Sequence, residues 1–164
     1  MPANPARCLI LACGNTLRSD DGVGLCLAGW AEQRFREHPE VQTLARHQWT
    51  PELAEDISRA QTVMFIDCCV DAYPGSVRLV PVEPAQGTLT LATHRVGPAD
   101  LLALSRDLYQ ALPRHAMLLT IGAGSLEFGE TFSEPVRSTL PDACCLIEDA
   151  VTHFLVELQI REMT

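Results

Sequence analysis

The chain has no basic cluster. Its twelve Lys and Arg stand against 21 Asp and Glu, for a formal net charge of −9 at pH 7. That balance makes nucleic acid and acidic membrane surfaces poor partners. No long apolar run is present either; the longest are a handful of residues, too short to cross a bilayer. Met1 to Cys13 holds one Arg and a very short apolar stretch, which is not the layout of a secretory signal, so the expected location is the cytoplasm. Seven cysteines occur, but no C-x-x-C, which argues against a structural zinc site or a thioredoxin-type motif. The cysteines, including the adjacent pairs Cys68-Cys69 and Cys144-Cys145, read as reduced residues used for packing.

Other absences narrow the chemistry. No Gly-rich run ends in Lys-Ser/Thr, so there is no P-loop. The first Gly-rich loop is not G-x-G-x-x-G, which disfavours a dinucleotide site. Gly122-x-Gly124-Ser125 lacks the second glycine of the G-x-S-x-G nucleophile elbow. Cys13 is a conceivable nucleophile, but it closes an apolar strand, where burial would leave it inert. No repeat, low-complexity tract or linker divides the 164 residues, so one domain over 1–164 is expected. With 47% hydrophobic and 20% charged residues, such a chain can bury one substantial core.

What is present is an alternation of strand and helix. Ala6 to Cys13 is continuously apolar, as a buried parallel strand is. Val23, Leu27, Trp30, Ala31 and Phe35 follow at helical spacing. A half-polar strand over Val41 to His47, a short helix after Thr50-Pro51-Glu52 and a strand from Thr62 that ends at Asp67 come next. Ser76 to Glu83 alternates apolar and polar; its short connection predicts an edge strand antiparallel to its neighbour. Leu101, Leu104, Leu108 and Leu112 stripe another helix, His115 to Ile121 is a further strand, and Ser133-Glu134-Pro135 opens a last helix that Pro141 would kink or divide. The pattern β-α-β-α-β-β-α-β-α predicts an α/β three-layer sandwich. Its five-stranded, twisted sheet is mostly parallel, with one antiparallel edge strand and helices on both faces.

In such sheets ligands gather beyond the carboxyl ends of the strands. The stretch Gly14-Asn15-Thr16-Leu17-Arg18-Ser19-Asp20-Asp21-Gly22-Val23-Gly24 occupies that position after the first strand. A plain structural reading makes Asp20 a helix cap and Asp21 a solvated neighbour. Asp67, at the end of the third strand, equally suits a residue bonded to loop amides, and His94 suits a surface position before a helix. Taken together, Asp21, Asp67 and His94 place two carboxylates and an imidazole at one rim, a donor set for a divalent metal with open positions for water or substrate. His38, His47, His115 and His153 are weaker candidates; of these, His47 sits at a strand end and can reach the rim.

Leu11 to Gly24 resembles the opening signature of the [NiFe]-hydrogenase maturation endopeptidases: a strand, then Gly-Asn, then an acidic pair and a Gly-x-Gly. Phe65-Ile66-Asp67, followed by Pro74-Gly75, resembles the family's second acidic segment. Thr93-His94-Arg95 resembles its histidine segment, and Gly122 to Glu127 its late strand and loop. The resemblance implies the same open α/β sandwich. It also implies an endopeptidase that removes the C-terminal extension of the hydrogenase large-subunit precursor once nickel is in place. Asp21, Asp67 and His94 would then touch a nickel brought by that substrate, with no organic cofactor. The metal would act either as a handle that anchors the precursor or as the activator of an attacking water. Arg46-His47-Gln48-Trp49-Thr50-Pro51-Glu52-Leu53 stands where many members carry Asp-Gly-Gly-Thr, a variant similar to the branch serving bidirectional, NAD-linked hydrogenases. Cys68 replaces a more usual Ala, as a packing change or as a further soft contact to the metal. Competing readings are a metal-dependent hydrolase with another peptide substrate and a nickel-responsive assembly factor without cleavage activity.

Overall fold

The computed structural model describes residues 7–87 and 95–164. Among these, the elements follow the expected order: β1 (Cys8–Cys13), α1 (Val23–Arg34), β2 (Val41–Arg46), α2 (Leu53–Arg59), β3 (Thr62–Cys69), β4 (Val77–Pro81), α3 (Pro98–Tyr109), β5 (His115–Gly122) and α4 (Glu134–Glu162). A 3-10 turn, Ser19–Gly22, leads into α1.

The sheet order is β2-β1-β3-β5-β4. Four strands run parallel, and β4 lies antiparallel to β5. Although β4 follows β3 after a short turn, β5 inserts between them. The residue types explain this. β4 carries an exposed Arg78 and an exposed Pro81, which has no N–H for a ladder, so it suits an edge. β5 is largely apolar and pairs with β3 along all of its length, from Thr62 opposite His115 to Cys69 opposite Gly122. That pairing carries β3 two residues past the expected end, so Asp67 lies within the strand instead of closing it.

β1 is buried on both faces and divides the core. Cys8, Ile10 and Ala12 face one cluster with Met64, Ile66, Leu119 and Ile121, covered by α1 and α4. Leu9 and Leu11 face the other with Val63 and Phe65, covered by α2 and α3. This is the period of two expected of a strand, with helices on both faces. α4 runs unbroken through Pro141, contrary to the expected division. The proline lacks one N–H, and the carbonyl left without it belongs to the exposed Arg137, where water can satisfy it. No helix among the described residues is long and apolar enough to cross a membrane.

Candidate active site

The loop after β1 turns back on itself at Gly14. A Cβ there would stand 2.0 Å from the backbone oxygen of Asp21, so only glycine permits the turn. One residue on, the Asn15 N–H donates both to that oxygen, at 3.2 Å, and to Oδ2 of Asp21, at 3.1 Å. Asn15 Oδ1 in turn accepts from the Leu17 N–H at 2.9 Å. The half-buried Asp21 carboxylate is thereby held toward the carboxyl end of the sheet. Gly24 brings the start of α1 against the strand ends: a Cβ there would lie 2.5 Å from the Cys13 carbonyl and 3.1 Å from that of Ile66.

Asp20 is neither a cap nor a ligand. It is wholly buried and reaches across to the segment after β5. Its Oδ2 accepts from the Gly124 N–H (2.8 Å), the Ser125 N–H (2.8 Å) and Ser133 Oγ (2.7 Å), and its Oδ1 from the Ser133 N–H (2.7 Å). Burial pushes its pKa up, but the bonds from Ser133, Ser125 and Gly124 outweigh that and hold it below its ordinary value. No side chain caps α1. The signal missed in the sequence was a set of three residues, Gly124, Ser125 and Ser133, that supply four donors to one carboxylate more than a hundred residues away.

Asp67 projects from β3 into a cleft of about 600 Å³ at the same rim. The cleft is lined by Asp21, Asp67, Cys13, Cys68, His47 and Trp49, together with Arg18, Arg95, Thr120 and Leu126 among others. The structure thus brings Asp21 and Asp67 together, and His47 joins them at the rim. His94 lies outside the described residues, although the next residue, Arg95, lines the cleft. Asp67 Oδ1 accepts from the Cys68 N–H at 2.8 Å and Oδ2 from the Trp49 indole N–H at 3.2 Å. Burial pushes the Asp67 pKa up to about 6. The Cys68 and Trp49 bonds and Arg95 pull against that, and the Asp21 charge adds to it.

The thiols beside the carboxylates are inert, as expected. Burial, with the charges of Asp67 and Asp21, pushes Cys13 up to about 12, and its Sγ donates to the His47 carbonyl at 3.5 Å. Burial and the Asp21 and Asp67 charges push Cys68 to about 12 as well, and it packs against the core on the α1–α4 side. Neither is available as a thiolate nucleophile at neutral pH. The other histidines are engaged elsewhere. His115 and His153 both face Glu157, at 3.0 and 3.5 Å, and His38 faces Glu40 at 3.3 Å.

The donor chemistry of the cleft suits a divalent cation. Two carboxylates share a partly buried space, neither is ion-paired among the described residues, and burial, with a smaller push from the Asp21 charge, raises Asp67. Among the described residues no group of three or more His, Cys, Asp or Glu stands close enough to hold a metal unaided.

No protein-family model matches the chain. Individual proteins do. The hydrogenase expression/formation protein HoxM of Azotobacter vinelandii is 30% identical over 141 residues, 82% of this chain and 67% of that protein. A hydrogenase 2 maturation protease of Escherichia coli is 27% identical over 157 residues, 93% of this chain and 91% of that protein. Among solved structures, the hydrogenase maturating endopeptidase HybD from Escherichia coli superposes with a TM-score of 0.70 at 20% identity, covering 90% of this chain and 93% of that one. That superposition establishes the shared sandwich. The extent of the HoxM match, with that to the maturation protease, shows that this chain belongs to the hydrogenase maturation endopeptidase family.

Proposed function

We propose that the protein removes the C-terminal extension from the precursor of a [NiFe]-hydrogenase large subunit, in the cytoplasm, after nickel has been placed in that precursor. Asp21 and Asp67 contact the nickel from the enzyme side, and His94 completes the set. The observation that carries this reading is the pair of carboxylates that have no ionic partner among the described residues in one rim cleft, on a chain of this family. Nickel is here part of the substrate. It accepts mixed oxygen and nitrogen donors, and the precursor's own thiolates complement a site that lacks thiolates of its own.

The roles follow from the geometry. Asp21 and Asp67 bind and orient; an open cleft leaves room for an extended peptide beside them. Holding the scissile bond against a fixed anchor reduces the entropy lost on reaching the transition state. A carboxylate would take the proton of an attacking water, and the raised pKa of Asp67 favours it for that role, closer to the range in which a general base is effective.

The variants Asp21→Asn and Asp67→Asn test the assignment. Each is expected to retain the wild-type far-UV circular dichroism and to lose processing of nickel-loaded precursor by at least a hundredfold, the usual scale for a general acid–base or metal-contact residue. Full activity in a folded Asp21→Asn protein would remove Asp21 from the site. Tight binding of the precursor without release of a peptide, by the wild-type protein, would instead make it an assembly factor.

A further inference from the structure

Trp49 lies in the connection between β2 and α2, where this chain departs from the family's common Asp-Gly-Gly-Thr. Its indole N–H reaches Oδ2 of Asp67 at 3.2 Å, while the Cys68 backbone N–H holds Oδ1 at 2.8 Å. Both oxygens of the carboxylate are therefore gripped, and its plane is set. The indole is itself braced. Its ring meets the ring of Phe65 edge to face, with centroids 5.6 Å apart and planes at 85°, and Phe65 is wholly buried. Phe65 and Asp67 are two apart on β3 and so point to the same face of the sheet. One indole thus packs on the first and donates to the second. Cys13 Sγ to the His47 carbonyl, at 3.5 Å, and the Gly14 N–H to the Arg46 carbonyl, at 3.1 Å, tie the same connection to β1.

The choice of donor is informative. Indole donates one hydrogen bond, accepts none and carries no charge. It orients a carboxylate without neutralising it, as an Arg would, and without competing for a cation, as a His would. Each oxygen keeps lone-pair capacity for a metal.

We propose that Trp49 is the positioning residue for Asp67. It fixes the rotation of that carboxylate so that it meets a divalent metal in the cleft at the correct angle. The inference rests on the reading of Asp67 as a metal contact. Trp49→Phe keeps an aromatic ring against Phe65 and removes only the N–H, so it separates the hydrogen bond from packing.

The test measures the affinity of the full chain for the nickel-loaded large-subunit precursor, by calorimetry at a low temperature where cleavage is slow, in the wild type, Trp49→Phe, Asp67→Asn and the double variant. Outer-shell partners of metal ligands typically change affinity by about 10- to 100-fold. A weakening of about tenfold or more is expected for Trp49→Phe, and no further loss when it is added to Asp67→Asn, because the group it positions is already disabled. Wild-type affinity in Trp49→Phe, with a loss in Asp67→Asn, would overturn the positioning role alone. So would an equal loss from Trp49→Phe in both backgrounds, which marks a packing effect. A wild-type protein that binds the nickel-loaded and the nickel-free precursor equally well, or an Asp67→Asn protein that binds the loaded precursor as well as the wild type, would overturn the ligand reading and this inference with it.

Discussion

Asp20 and Asp21 are adjacent, yet burial separates their roles. Asp20 accepts four hydrogen bonds in a fully buried position, and Asp21 faces the cleft. Replacing Asp20 with Ala leaves the Gly124, Ser125 and Ser133 donors without their acceptor. The expected cost is about 3 kcal/mol or more, read by chemical denaturation; a change under about 0.5 kcal/mol would contradict the account. The folded-state pKa of Asp20 is lowered, so its stabilising contribution is present above its unfolded pKa and is lost as pH falls through the folded value. Asp67 has the opposite sign. Its folded pKa of about 6 exceeds the ordinary value of 3.8. The folded state therefore binds a proton more tightly, and its contribution is full below about 4 and lost as pH rises through about 6. The unfolding free energy of the wild type should fall relative to that of Asp67→Asn between pH about 4 and about 6, then stay level with it above. A flat difference across that window would remove the shift. That Asp21 and Asp67 lie at one rim was legible in the sequence because apolar runs show where β1 and β3 approach their carboxyl ends, although β3 continues two residues past Asp67. The roles of Asp20 and Trp49 were not, because each depends on a hydrogen-bond partner supplied by a different part of the chain.

Between residues and the whole molecule, the rim is built by two loops that clasp each other. Gly129 donates to the Leu17 carbonyl at 2.9 Å and accepts from the Ser19 N–H at 2.8 Å, and Ser19 Oγ donates to the Glu127 carbonyl at 2.8 Å. Ser19 is held at φ 49°, a left-handed conformation that costs a non-glycine residue about 1–2 kcal/mol, and this clasp is what sustains it. In Asp20→Ala, amide exchange across residues 124–133 should speed up by about tenfold or more while the centres of β1 and β3 keep their protection. Uniform acceleration would mean that the clasp is no separate unit. Pro141 gives the second test at this scale. It is exposed inside α4, so Pro141→Ala restores one helical hydrogen bond, and the unfolding free energy should rise by about 1–3 kcal/mol; a fall would show that the proline has a packing role. The sequence pattern placed a proline breaker in this helix correctly but overstated its effect. The carbonyl it frees is at the surface, and the buried stripe from Val136 to Leu158 holds the helix together across it.

For the molecule as a whole, the alternation of strands and helices was legible end to end, and so was the antiparallel edge strand. The insertion of β5 between β3 and β4 was not, since local periodicity reports which faces are buried and not which strand lies beside which. That insertion has a functional consequence: it carries Thr120 and the loop after Gly122 to the side of Asp67, so the cleft has a wall drawn from the last third of the chain. In the proposed function this cleft meets nickel on a protein substrate and licenses a single cut. The most direct measurement mixes the purified protein with a nickel-loaded large-subunit precursor and, separately, with the same precursor free of nickel, and weighs the products by mass spectrometry. The account predicts loss of a C-terminal peptide from the loaded precursor alone. Equal cleavage of both forms, or of neither, would contradict it.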